Sequence, residues 1–205
     1  MATKLKLLYP ATPFITTQSW GIYNPAYLQF GFSKHNGVDF RLGKDKKLYA
    51  PVRMRLVDKG YVEKGAGYYI RFKTTEKWLV EGQECYVSLM FMHLDHLPDY
   101  QIGTIKEAGE FIGVPDNTGF STGPHTHLST YRLGDNDERL DTDKETNYTF
   151  DPSTYFDVSD FNEISNTIAV LVKHYDQESN PLIKIALWVI IQMWIKRLAD
   201  LANKV

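Results

Sequence analysis

Cysteine is almost missing from this chain: Cys85 is the single one in 205 residues. One thiol excludes an internal disulfide. No histidine or basic residue stands beside it in sequence, so Cys85 reads as a small buried apolar residue in a strand, not a reactive thiol. An excess of charge of one sign is also lacking. Twenty-three Lys and Arg against 25 Asp and Glu leave a formal net charge of −2 and a pI near 6.3. That balance offers no electrostatic case for a nucleic-acid partner. Long apolar runs are scarce. The stretch Leu182 to Ile195 is 14 residues, about 21 Å as a helix, against a bilayer core of about 30 Å. A simple membrane span is not expected from it. From Met1 to Pro10 the apolar run is too short for a secretory signal and is closed by proline. The expectation is therefore synthesis in the cytoplasm without Sec export. A substrate outside the cytoplasm would need another route of delivery.

What is present suits a β-rich domain followed by helices. Aromatic residues make up 14% of the chain, mostly Tyr and Phe, and such side chains favour strands. Leu48 to Val57 reads as a strand carrying Tyr49, Val52 and Leu56, with Pro51 marking an edge or a bulge. Tyr68 to Lys73 alternates as a strand. Cys85 to His93 is another, with Val87, Leu89, Phe91 and His93 expected on one face. Glycines at 60, 65, 67, 82, 103, 109 and 113 punctuate these runs at turn-like intervals. Asp135 to Asn147 is polar and charged, as a surface loop would be.

From Ser159 the pattern changes. Phe161, Ile164, Ile168, Leu171 and Tyr175 follow the three-and-four spacing of an amphipathic helix capped by Ser159 or Asp160. Asn180-Pro181 then opens a second helix with proline at its first position. That helix is apolar nearly all round, interrupted by Lys184 and Gln192 and followed by Lys196 and Arg197. The division expected is a domain over 1–157 and a helical segment over 158–205. Packing on the domain or on a second copy is one cover for the apolar helix, and an interfacial lipid surface is another.

Four of the six histidines fall in three short motifs. Gly119 to His127 ends in His125-Thr126-His127, and an extended His-x-His sends both imidazoles to one face. His35-Asn36-Gly37-Val38-Asp39 offers a third imidazole and a carboxylate. His93 lies in Phe91-Met92-His93-Leu94. Two histidines and one carboxylate make a zinc-type ligand set that keeps a fourth position for water. The charged centre so formed polarises a carbonyl and acidifies water. The remaining histidines are suited to proton transfer or oxyanion stabilisation. No His-Glu-x-x-His segment occurs, so the glutamate base of helical zinc peptidases is absent. Taken alone, His-x-His is more often a hydrogen-bonded pair on a polar strand. Its joint occurrence with the other motifs and their glycines raises it above that.

In those segments the chain resembles the lysostaphin-type, or LytM-type, zinc endopeptidases that cut peptidoglycan. The matching stretches are Ser19-Trp20-Gly21, His35 to Phe40, Tyr49-Ala50-Pro51, Gly67 to Ile70, Met92-His93-Leu94, and Ile112-Gly113 through His127-Leu128. They occur in family order across about residues 14 to 132. The resemblance implies zinc ligands at His35, Asp39 and His127, and catalytic histidines at His93 and His125. It implies a mainly β fold: a narrow groove on an antiparallel sheet, of the duplicated-hybrid-motif kind, with the metal on its floor and the two C-terminal helices as an appendage. Two positions depart from the family pattern. Thr126 stands where leucine is usual between the paired histidines, and Phe91 where tyrosine is usual two before His93. Both lie outside the ligand set and bear on packing and substrate contacts.

His96 and His174 match no motif and read as ordinary surface histidines. For Tyr23 and Tyr131 a substrate contact is one reading, and a structural role is the one expected of each. The function expected is zinc-dependent hydrolysis of cross-links or stem peptides in bacterial peptidoglycan, acting at the cell wall or periplasm. Delivery as a phage lysin or virion component would suit a wall enzyme without export signal. The alternative is a non-catalytic wall-binding or assembly module of the same fold. The C-terminal helices are expected to serve homo-oligomer, virion or membrane-surface contact.

Overall fold

Period-two alternation sorts the strands into a core face and a cleft face. The computed structural model describes residues 2–11, 15–41, 46–157, 171–173 and 175–202. Among these described residues are ten strands: β1 (Ile15–Gln18), β2 (Val38–Arg41), β3 (Leu48–Tyr49), β4 (Met54–Val62), β5 (Gly67–Thr74), β6 (Trp78–Val80), β7 (Gln83–Leu94), β8 (Ile105–Lys106), β9 (Phe111–Gly113) and β10 (Thr126–Leu133). The main sheet is antiparallel and runs β1-β2-β10-β7-β5-β4-β8, with β6 paired to β7. Strands β3 and β9 form a separate pair.

On the core face Phe40, Leu128, Val87, Leu89, Phe91, Ile70, Phe72 and Leu56 are fully or almost fully buried. Leu5 and Leu7 join them from the N-terminal segment, and Phe150, Tyr155 and Phe156 from the chain after β10. Burying one such side chain stabilises the fold by roughly 1.5–3 kcal/mol, so this layer fixes the sheet on which the other face is built. Cys85 lies in the same core, and burial pushes its thiol up to about 11. That agrees with an inert residue.

Two local expectations are corrected. Leu48 to Val57 is not one strand, because the chain leaves β3 after Tyr49 and starts β4 at Met54. Pro51 lies in that break and has no N–H to donate to a ladder. His93 does not share the face of Phe91. Tyr68 opposes Leu94 and Ile70 opposes Phe91, so β7 holds one residue more than β5 between these pairs. His93 sits in this bulge with φ of 63°, a left-handed backbone that is rare for a non-glycine residue. The bulge turns its imidazole from the core to the cleft, beside Met90 and Met92.

The chain divides into two units, residues 1–156 and 157–205. In the second, Pro181–Ala202 is a helix. Asn180 caps it, its Oδ1 accepting from the Leu182 N–H at 3.0 Å. Residues 171–173 and 175–177 are helical. The rest of the expected first helix, with Phe161, Ile164 and Ile168, lies outside the described residues, as does His174. No described helix is long and apolar enough to cross a membrane.

Candidate active site

Sheet register brings the first two motif residues together. Asp39 on β2 stands directly opposite His127 on β10, and His127 in turn opposes Met92 on β7. Directly opposed residues of an antiparallel pair share a face. His35 precedes β2 and reaches the same place four residues before Asp39. Its approach depends on Gly37: a Cβ there would lie 2.4 Å from the Leu128 carbonyl oxygen and 2.5 Å from His127 Nε2.

Three donor atoms converge. His35 Nε2 is 3.0 Å from His127 Nδ1, His127 Nδ1 is 2.9 Å from Asp39 Oδ1, and His35 Nε2 is 3.2 Å from Asp39 Oδ1. All three residues are buried. The backbone sets the state of His35: its Nδ1 lies 2.9 Å from the Ser19 carbonyl, which can only accept, so Nδ1 carries the proton and Nε2 a lone pair. Three mutual contacts cannot all be hydrogen bonds, because each ring nitrogen has one in-plane proton or one lone pair. A single cation satisfies all three atoms at once. The edge of a zinc tetrahedron with ligand bonds of about 2.0–2.1 Å is about 3.3 Å, close to the triangle observed. The residues therefore fit a metal ion.

Electrostatics follow the same arrangement. Burial raises the Asp39 carboxyl, but the adjoining imidazoles of His127 and His35 outweigh it and hold the pKa far below the usual carboxylate range. Burial lowers the pKa of His127, against the opposing hydrogen bond to Asp39. Both groups are thus in the states a cation requires, an ionised carboxylate and a neutral imidazole.

His93 and His125 flank this triangle. Their ring centroids are 4.8 Å apart, and His93 is 6.2 Å from His127. Nδ1 of His93 donates to the Thr118 carbonyl at 2.8 Å, and Nδ1 of His125 donates to the Gly123 carbonyl at 2.7 Å. Each Nε2 is therefore the acceptor nitrogen, and that of His125 lies 3.6 Å from Asp39 Oδ2. Burial, followed by His127, lowers the His93 pKa to about 4. The Thr118–Gly123 loop is held against the β4–β5 hairpin by Gly119, whose φ is 76° and whose added Cβ would lie 2.2 Å from the Gly67 nitrogen. All four histidines line one cleft of about 710 Å³, walled by Tyr27, Phe30, Phe32 and Phe120.

The remaining sequence assignments resolve simply. His96 is exposed and bonded to its neighbour Asp95, and Tyr23 is exposed. Tyr131 is buried and lines the cleft, with the Arg139 guanidinium 4.2 Å above its ring. Ser129 was not singled out by sequence. Its Oγ lies 2.8 Å from His127 Nε2, the nitrogen away from the triangle. The available signal was its position two after His127 on a strand, which puts both on one face.

The sequence profile of Peptidase family M23 matches residues 33–142, a span that holds all five residues of the cluster. The chain is 33% identical over 100 residues to an uncharacterized metalloprotease of Haemophilus influenzae, covering 49% of this chain and 19% of that protein. It is 30% identical over 106 residues to the glycyl-glycine endopeptidase ALE-1 of Staphylococcus capitis, covering 52% of this chain and 27% of that protein. Only a minor part of each relative is therefore matched. Among solved structures, the antimicrobial peptidase lysostaphin from Staphylococcus simulans superposes with a TM-score of 0.53 at 21% identity, over 76% of this chain and 55% of the other. A zinc-containing peptidase from Vibrio cholerae gives 0.51 at 18% identity, over 70% and 40%. These likenesses establish a shared fold.

Proposed function

This chain belongs to peptidase family M23, and on that footing we propose that it is a zinc endopeptidase of bacterial peptidoglycan. The observation that carries the reading is the donor triangle of His35, Asp39 and His127 with two further histidines, His93 and His125, beside it. In this reading the three triangle residues hold zinc. Zinc bound there supplies a Lewis acid that polarises a carbonyl and acidifies water.

The chain's own residues do the rest. His93 and His125 each keep Nδ1–H on a backbone carbonyl and turn Nε2 to the cleft. A neutral Nε2 accepts a proton from the attacking water and returns it to the leaving amine; once protonated it also donates to a developing oxyanion. Burial keeps His93 neutral down to about pH 4, so its acceptor is available at neutral pH. The aromatic wall of Tyr27, Phe30, Phe32 and Phe120 excludes water from one side and positions the peptide.

The relative ALE-1 is named a glycyl-glycine endopeptidase, which supports a wall-peptide substrate. Retention of all five polar residues argues against a purely wall-binding module. Purified walls of several chemotypes, incubated with the zinc-loaded protein, should release peptides whose new termini identify the cut. Absence of any released peptide, with zinc bound, would overturn the proposal.

Catalysis is assigned to residues 1–157, and attachment to 158–205. The helix Pro181–Ala202 exposes Leu182, Ile185, Trp188 and Met193, more apolar surface than a helix in water retains uncovered. Contact with a second copy, a virion component or a lipid surface would cover it. Carriage on a phage particle, or release as a lysin, is one route by which a wall hydrolase reaches its substrate. If this chain is monomeric by light scattering and fails to float with liposomes, self-association and lipid docking are both removed as that cover.

A further inference from the structure

The cleft that holds the histidines is nearly free of permanent charge. Among its lining residues Asp39 is the one carboxylate and Arg139 the one permanent cation. Asp39 is engaged by His35 and His127. Arg139 is not engaged in that way. Among the described residues its guanidinium has one hydrogen-bond partner, the Asn147 carbonyl at 3.2 Å, and no carboxylate. Yet the group is held in place. Its Cζ lies 4.2 Å from the Tyr131 ring centroid and 5.9 Å from that of Tyr148. Two rings and a carbonyl orient the planar fork and leave most of its N–H donors unused.

The position of this fork relative to the candidate chemistry is set by β10. Tyr131 is four residues beyond His127 on the same strand, so both face the cleft, and the separation along the strand is about 13 Å. An extended peptide lying in the cleft covers that distance in about three to four residues. On the other side of Asp39 and His125 a second hollow is lined by Arg41 and Lys46. In that neighbouring hollow Lys46 is paired with Asp116 at 3.8 Å, whereas at the Arg139 end no lining carboxylate beyond Asp39 would repel an anion.

We infer that Arg139 is a specificity-determining residue, a carboxylate clamp that selects peptides bearing a free carboxylate about three to four residues from the scissile bond. This rests on the proposed hydrolysis of wall peptides and narrows its substrate class: acidic stem peptides are favoured over uncharged glycine bridges. Arginine presents a fixed fork that matches a carboxylate with two parallel hydrogen bonds. Here Tyr131 and Tyr148 supply the orientation in advance, which reduces the ordering cost of binding.

The test compares three probes on the full-length, zinc-loaded protein: a wall stem peptide with its carboxylates free, the same peptide with them amidated, and pentaglycine. Binding is read by calorimetry and cleavage by kcat and KM. The free-carboxylate peptide should bind about tenfold or more tightly than its amide, through KM more than kcat, and the preference should shrink with added salt. In Arg139→Gln the ratio between the two peptides should fall to near one, and Arg139→Lys should restore part of it. A structural disturbance would weaken both peptides alike and leave the ratio unchanged, which counts against the clamp. Equal binding of the two peptides to the wild-type protein, or tighter binding of pentaglycine, overturns the inference even if all are cut. A preference without any cleavage keeps the clamp and removes the hydrolase reading instead.

Discussion

His127 and Asp39 face each other across adjacent antiparallel strands, with 2.9 Å between Nδ1 and Oδ1. The pair is placed by backbone ladders and a packed core, so it is formed before any ion arrives. His35 closes the triangle from the segment that leads into β2.

Removing a corner of that triangle should remove the metal. His35→Ala, Asp39→Ala and His127→Ala each leave two donors where three stood, and zinc content by elemental analysis should fall from about one ion per chain to near zero. Full zinc in the His127→Ala protein would show that the ion sits elsewhere.

His93→Ala and His125→Ala should separate chemistry from metal binding. Neither side chain belongs to the triangle, so zinc content should stay close to that of the unaltered protein. Hydrolysis of wall peptides should drop on the order of 10²-fold or more, since a proton acceptor in the cleft is lost. Turnover at the original rate in either variant removes that residue from the mechanism.

Ser129→Ala tests the support behind the site. The hydroxyl holds His127 Nε2 at 2.8 Å and so fixes which nitrogen faces the triangle. Loss of such an outer partner weakens metal affinity by about 10- to 100-fold. Competition against a chelator of known affinity measures this directly. Unchanged affinity would mean that packing alone orients the ring.

The metal-free protein should lose stability in mild acid. His93 titrates near pH 4 when folded, lowered first by burial and then by His127, and burial also lowers the pKa of His127. Unfolded, a histidine titrates near ~6.5. Between these values the unfolded chain binds more protons than the folded one, so stability falls as pH drops from about 6.5 toward about 4. Asp39, with its carboxyl held low in the fold, adds a loss of its own only below about pH 4, where the unfolded carboxylate protonates. Urea midpoints of chelator-treated protein that stay constant from pH 7 to about pH 4.5 would contradict this.

Thr126→Val should stabilise the fold. Thr126 is fully buried between the paired histidines on the core side of β10, and its Oγ1 has no hydrogen-bond partner among the described residues. Valine keeps the shape and removes the unsatisfied hydroxyl, a gain of about 1 kcal/mol. For a unit of this size that is a rise in Tm of about 2–4 °C. A lower Tm would reveal a bond made by that hydroxyl.

Much of the site could be read from the chain because its determinants are local. His-x-His on a strand and His35 four residues before Asp39 each place polar groups by short-range backbone geometry, and β-rich character follows from strand alternation and punctuating glycines, while the antiparallel groove was implied by the family resemblance. Other features depend on partners distant in sequence. Alternation alone assigns His93 to the core face with Phe91; the extra residue opposite β5 reverses this, and bulge placement is a property of strand pairing. Ring tautomers depend on the carbonyls of Ser19, Thr118 and Gly123, and a backbone carbonyl's direction is set by the folded chain. The stacking of Arg139 on Tyr131 requires the chain after β10 to fold back over it. Thus residue type and spacing determined which groups could bind a metal and that they belong to a β-rich domain. Register, burial and backbone hydrogen bonds decided how those groups face one another, because only the folded chain brings distant segments within bonding distance.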